Sequence, residues 1–158
     1  MSVTSAYLTT AKNLPKILVA IQNAQAPKQF STRFLASLGF PSANDRLIIG
    51  VLKALGFLTP EGTPTKRYFE YLDQSRAKYV LADGIREAYA DLFQINTKAN
   101  ELTNVDVKNK LKTLTQGQSS APVLDKMAMT FKSLSQHADF TVTSAPEPEK
   151  SPILVTTT

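Results

Sequence analysis

The residue pattern predicts a mainly α-helical protein: three helices closed by a small β-hairpin, packed on a second three-helix unit. Three observations predict it. Apolar residues recur at helical spacing in successive segments along the chain. The tripeptide "LGF" occurs at Leu38–Phe40 and again at Leu55–Phe57, each time where an apolar stripe ends. After the second of these, "TPEGTP" supplies the Pro/Gly punctuation of a chain that turns back on itself.

The first helix starts near Asn13, a good N-cap residue, with Pro15 tolerated in the first turn. Leu14, Ile17, Leu18 and Ile21 form a single buried face by the i, i+3, i+4, i+7 rule. "APK" from Ala26 ends the pattern. A short second helix covers about Ser31 to Leu38, with Phe34, Leu35 and Leu38 inward. Gly39 is its natural terminator, free to take positive φ. Pro41 and Ser42 open the third helix, in which Ser42 and Asp45 have capping-box spacing. Ile48, Val51, Leu52 and Leu55 form the inner stripe, and Gly56 ends it. "FLTPEGTPTKRYFEYL" then reads as two short strands around a Pro60–Gly62 turn, with Phe57, Leu58, Tyr68 and Phe69 closing over the helices. Three helices and a hairpin in this order make a winged helix-turn-helix, over about residues 7–73.

The second unit spans about 75–140. Ser75 caps a long helix, "RAKYVLADGIREAYADLFQI", with Leu81, Ile85, Ala88 and Leu92 on one face. Thr103 and Asp106 repeat the capping-box spacing before "VKNKLKTL". Ser120 and Pro122 start the last helix, with Leu124, Met127, Phe131 and Leu134 inward. The long–short–long order loosely parallels residues 13–56. A degenerate second helix-turn-helix and three simply packed helices account for it equally. Residues 141–158 are rich in Pro, Ser and Glu and read as a linker or tail, ending in the β-prone "ILVTTT".

With 158 residues and 42% apolar content, the chain suits one ordinary domain or two very small ones. It has no cysteine, which excludes disulfides, thiolate metal sites and thiol catalysis. The N-terminal stretch lacks the charged and apolar regions of a signal peptide, and "LIIGVL" is too short to cross a bilayer, so a cytoplasmic protein without membrane association is expected. The net charge of +5 is uneven: residues 1–73 carry 8 Lys/Arg against 4 Asp/Glu. The excess falls where a phosphate-binding module would put it.

No pattern announces an enzyme, a cofactor or a metal. The lone His137 sits in the last turn of the final helix and has none of the partners that catalysis or zinc binding needs, so a structural role is expected. Asp83, Glu87 and Asp91 stand at i, i+4, i+8, an acidic ridge suited to solvent or to a basic protein partner. The basic residues carry more information. Lys28 and Arg33 flank the second helix, Arg46 and Lys53 lie on the outer side of the third, and Lys66 and Arg67 fall on the wing. In a winged helix that reads DNA, the third helix enters the major groove and the wing meets phosphate or minor groove. Arg46 suits a two-bond contact to guanine, and the others suit phosphates. Against this stand Asp45 at the helix start, and Ile49 and Gly50 in its middle, which suit a close protein contact. Double-stranded DNA binding of a regulatory kind is the leading expectation. A protein-interaction or assembly module, homo-oligomer included, is the alternative.

"YLTTAKNLPKIL", "FLASLGFPSANDRLIIGVLKALGFLTPEGTPTKRY" and "IREAYADLF" resemble the uncharacterised bacterial and archaeal family catalogued as domain of unknown function 5343. The likeness covers about Tyr7 to Phe140. It implies a winged-helix-like, mostly helical module and no particular activity, substrate or site residue. Longer relatives continue beyond a Pro/Glu-rich linker into further sequence, and the resemblance leaves open whether a C-terminal module belongs after the tail.

Overall fold

A computed structural model of the chain describes residues 3–141. The predicted linker and the "ILVTTT" segment lie outside the described residues, apart from Thr141. The order of elements is α1 (Leu14–Asn23), α2 (Thr32–Ser37), α3 (Leu47–Ala54), α4 (Lys66–Tyr71), α5 (Ala77–Ala88), α6 (Ala90–Ile95), α7 (Asn104–Leu114) and α8 (Ala121–Gln136), with a 3-10 turn at Ala99–Glu101. Four inner stripes read from the sequence are buried: Leu14, Ile17, Leu18 and Ile21; Ile48, Val51, Leu52 and Leu55; Leu81, Ile85, Ala88 and Leu92; Leu124, Met127, Phe131 and Leu134. In α2 only Leu35 is fully buried, with Phe34 and Leu38 half-buried. The four stripes belong to one hydrophobic cluster, to which both the 7–73 and the 75–140 stretches of the chain contribute.

Local signals place most helix ends. The side chains of Ser31, Thr103 and Ser120 accept from the backbone N–H groups of Phe34, Asp106 and Val123, satisfying donors that the first helical turn leaves unpaired. Gly39 and Gly56, the two "LGF" glycines, take φ of +106° and +81° and terminate α2 and α3. Ser42 Oγ accepts from Asp45 N–H at 3.1 Å, so half of the expected capping box forms. It closes the turn before α3 and does not open the helix, which starts only at Leu47 behind Arg46, an N-cap without a side-chain bond. The reciprocal half of the box does not form, because the Asp45 carboxylate is used elsewhere. Asn13 Nδ2 donates to both its oxygens, at 3.0 and 3.2 Å. Asn13 therefore makes no cap bond to α1; it ties the start of α1 to the start of α3 instead.

Three expectations are revised. The hairpin contracts to one antiparallel bridge, Leu58 to Pro64, around a turn in which Thr59 N–H donates to Thr63 O at 2.8 Å. Among the described residues there is no sheet. The second strand is replaced by α4, because the Thr65 side chain accepts from Tyr68 N–H and so starts a helix directly after the turn. Tyr68 is buried as expected, while Phe69 turns outward and is 55% exposed. Second, Ser75 does not cap α5. Its N–H and hydroxyl donate to Asp73 Oδ1 at 3.0 and 2.7 Å, closing the turn before the helix. Third, the long helix predicted over 76–95 breaks at Tyr89, whose φ and ψ are −117° and 38°. An N-terminal arm takes the backbone there: Val3 bridges to Tyr89 and Thr4 N–H donates to Ala88 O at 2.9 Å. The Tyr89 ring is buried edge-on against Phe131, with centroids 4.8 Å apart.

The arm connects the two halves. After Thr4 it runs to the buried Leu8, whose N–H donates to the hydroxyl of Thr130 in α8 at 2.8 Å. The Thr130 hydroxyl donates in turn to Lys126 O at 2.7 Å, so a fully buried polar group is satisfied in both capacities. At the opposite join, Gly84 of α5 meets the end of α3: a Cβ there would lie 2.8 Å from the carbonyl oxygen of Leu55. Only a glycine lets α5 sit this close.

Candidate nucleic-acid interface

The exposed side of α3 carries Arg46, Gly50 and Lys53, spaced at i, i+4 and i+7 and therefore on one ridge. Leu47 is partly exposed beside them and Ile49 is half-buried. Asp45, which the sequence alone sets against an approaching phosphate, is 8% exposed and faces Asn13. Its charge thus points inward, leaving the open side of α3 without a carboxylate. Lys28 in the α1–α2 connection and Arg33 at the second position of α2 are exposed, as is Lys66 at the first position of α4.

Arg67 is not on a wing and is not free. Helix α4 turns its guanidinium onto the C-terminus of α3, where Nη1 donates to Leu55 O at 2.8 Å. The same group forms a two-bond pair with Glu87 of α5, at 3.1 and 3.3 Å. One residue of the predicted basic set and one of the predicted acidic ridge thus satisfy each other. A cation at a helix C-terminus also complements the partial negative charge of its open carbonyls. A Cβ on Gly56 would collide with this guanidinium, so the positive φ of Gly56 and the seat of Arg67 are one arrangement.

The remaining acidic candidates do not form one ridge. Asp83 pairs with Arg86 at 3.4 Å, while Asp91 lies on α6, beyond the break at Tyr89. Among the described residues no group of three or more His, Asp or Glu side chains is arranged to hold a metal ion. His137 follows α8 as its C-cap and lines a cavity of about 320 Å³ with Tyr71 and Lys78. Burial, then the Lys78 charge, holds its imidazole below the usual histidine pKa. It therefore stands there as a neutral side chain near pH 7, not as the cation that helix-dipole reasoning favours.

Two surface features had no signal in the sequence. Ser5, Ala6 and Tyr7 of the N-terminal arm run beside Arg46, Leu47 and Gly50, and between them lies an open dent of about 310 Å³. Elsewhere a groove of about 630 Å³ is lined by Lys78, Arg86, Lys98, Glu101, Asp139 and Phe140, among others. Arg86 stacks over the Phe140 ring, 5.1 Å from its centroid, and donates to Phe140 O at 2.7 Å. Helical periodicity reports which face of one element is buried; it does not report which distant segment lies beside it.

Fold and surface together define a small, mainly helical module whose third helix presents cations outward, with no helix among the described residues long and apolar enough to cross a membrane. The chain belongs to the family of unknown function DUF5343, whose model matches residues 6–145. No curated protein and no solved structure matches it.

Proposed function

We propose that this protein is a non-enzymatic, regulatory module that binds double-stranded DNA, with α2 and α3 as a helix-turn-helix and the Leu58–Pro64 turn as a reduced wing. The observation that carries the proposal is the inward turn of Asp45. It leaves Arg46 and Lys53 as the only formal charges on the open side of α3. A helix with cations a turn or two apart and no exposed carboxylate is matched to the phosphate-lined major groove. Lys28, Arg33 and Lys66 extend the basic surface around it. The turn itself carries Glu61 at its tip, so phosphate contacts are assigned to the helices and to Lys66. Arg67, engaged with Glu87 and Leu55, leaves the contact set.

The test is fluorescence anisotropy of the purified protein with a labelled random duplex. Release of counterions from about five phosphates predicts a loss of roughly 500-fold in affinity between about 50 and about 200 mM salt. A variant with Arg46, Lys53 and Lys66 changed to Ala is expected to lose binding at both concentrations while keeping its helical circular dichroism. No binding of the wild-type protein at the lower salt refutes the proposal. The partly apolar strip of Leu47, Ile49 and Gly50 would then be assigned to a protein partner.

A further inference from the structure

Gly50 lies in the interior of α3, where glycine is a poor helix former. Neither of the usual structural reasons for a glycine applies. Its backbone is not in the left-handed region, and a Cβ added there would meet nothing within 4 Å. The missing side chain therefore opens space towards the outside of the molecule. That space is the dent walled on one side by Leu47 and Gly50 and on the other by Ala6 and Tyr7, with Arg46 at its edge. The wall is anchored, since the arm is held by Thr4 N–H on Ala88 O and by Leu8 N–H on Thr130 Oγ1. At the start of α3, Thr9 Oγ1 also donates to Asn44 Oδ1 at 3.1 Å.

Resting on the DNA-binding proposal, we infer that this dent receives the 5-methyl group of a thymine in the major groove, beside the base pair met by Arg46. Three features point to that occupant. The methyl is the one apolar group that base pairs display in the major groove, and it is bound by apolar contact. The guanidinium next to the dent is suited to the N7 and O6 of a guanine, which places a G·C pair next to the T·A pair. Lys53, about one helical turn beyond Gly50 and exposed, supplies a cation for a phosphate past the dent, so a duplex seated there keeps a backbone contact. Gly50 lets the helix approach the base edge closely, and the arm, fixed by the second half of the protein, completes the pocket.

Two duplexes of equal length test this, alternating d(TG)·d(CA) and the same sequence with deoxyuridine in place of thymidine, which removes only the methyl. Wild-type protein is expected to bind the uridine duplex about fourfold more weakly for each methyl it buries. Gly50→Leu, which puts a branched side chain at the mouth of the dent, is expected to stay folded, to bind both duplexes weakly and to lose the preference. Equal wild-type affinity for the two duplexes overturns the inference and leaves DNA binding standing. If neither duplex binds at about 50 mM salt, DNA binding itself fails and the inference falls with it.

Discussion

Gly50 and Gly84 occupy helix interiors, and replacing each with alanine separates two effects of opposite sign. In either helix alanine relieves the conformational penalty of glycine, about 0.5–1 kcal/mol. At Gly50 the added Cβ meets nothing within 4 Å, so the whole gain is expressed. For a domain of this size that gain raises Tm by roughly 1–4 °C. At Gly84 the same Cβ lies 2.8 Å from Leu55 O, 3.3 Å from Leu55 Cβ and 3.4 Å from the Phe57 ring. The closest of these is a backbone atom, already held by Arg67 at 2.8 Å, and cannot swing aside. Either α5 lifts from the end of α3 or the core around Phe57 shifts, and overpacking of this kind costs about 1–3 kcal/mol. The propensity gain is common to both variants, so their difference in stability is a direct measure of the clash. Urea denaturation followed by circular dichroism is expected to place Gly50→Ala above wild type and Gly84→Ala below it, about 1–3 kcal/mol apart. Equal stabilisation of both variants would mean that α5 is not seated on the end of α3.

Thr130→Val keeps the shape of the side chain but leaves Leu8 N–H buried without an acceptor, at a cost of about 1–3 kcal/mol. The Leu8 amide is expected to exchange with solvent much faster, and unchanged protection would show that the arm is not anchored there. Arg67→Ala removes a charged donor from Leu55 O and is expected to cost about 1.5–3 kcal/mol, whereas Glu87→Ala, at a 64% exposed carboxylate, costs under about 1 kcal/mol. Equal losses in thermal denaturation would place the weight of that contact on the ion pair instead. The Tyr68 hydroxyl is buried with no hydrogen-bond partner among the described residues, and burial pushes its pKa from 10.0 up to about 12. Between those values the unfolded chain gives up the proton and the folded chain keeps it, so stability falls as pH rises, by up to about 1.4 kcal/mol per pH unit for this group. Tyr68→Phe is expected to leave stability near pH 7 unchanged or improved and to flatten the alkaline decline. A clear loss near pH 7 would reveal a partner for the hydroxyl.

The helical content and most of the core were legible in the sequence, because both follow from local physics; Leu8, Phe30, Tyr89 and Leu111 are among the buried residues it did not single out. A 3.6-residue period puts Ile48, Val51, Leu52 and Leu55 on one face whatever they pack against, and Ser31, Thr103 and Ser120 cap the turns that follow them. The glycines of the two "LGF" segments marked helix ends correctly, since a left-handed terminator is a property of a few consecutive residues. The exposed basic residues of α2 and α3 were legible for the same reason: a side chain opposite an apolar stripe faces water.

Tertiary structure decided everything that depends on a distant partner. Asp45 read as a cap and as an obstacle to phosphate, until Asn13, far back in the chain, took both its oxygens. Arg67 read as a wing cation, until α4 carried it to Leu55 O and Glu87. The helix predicted through Tyr89 broke where the arm at Val3 and Thr4 claimed its backbone. Each of these residues had more than one use open to it in the local sequence. A polar or charged group takes the partner that best compensates its loss of water, and long-range packing determines which partner is near. The sequence thus set the apolar side of the main helices and many of their ends, while only the folded chain determined where α5 breaks and which polar groups remained on the surface for a ligand.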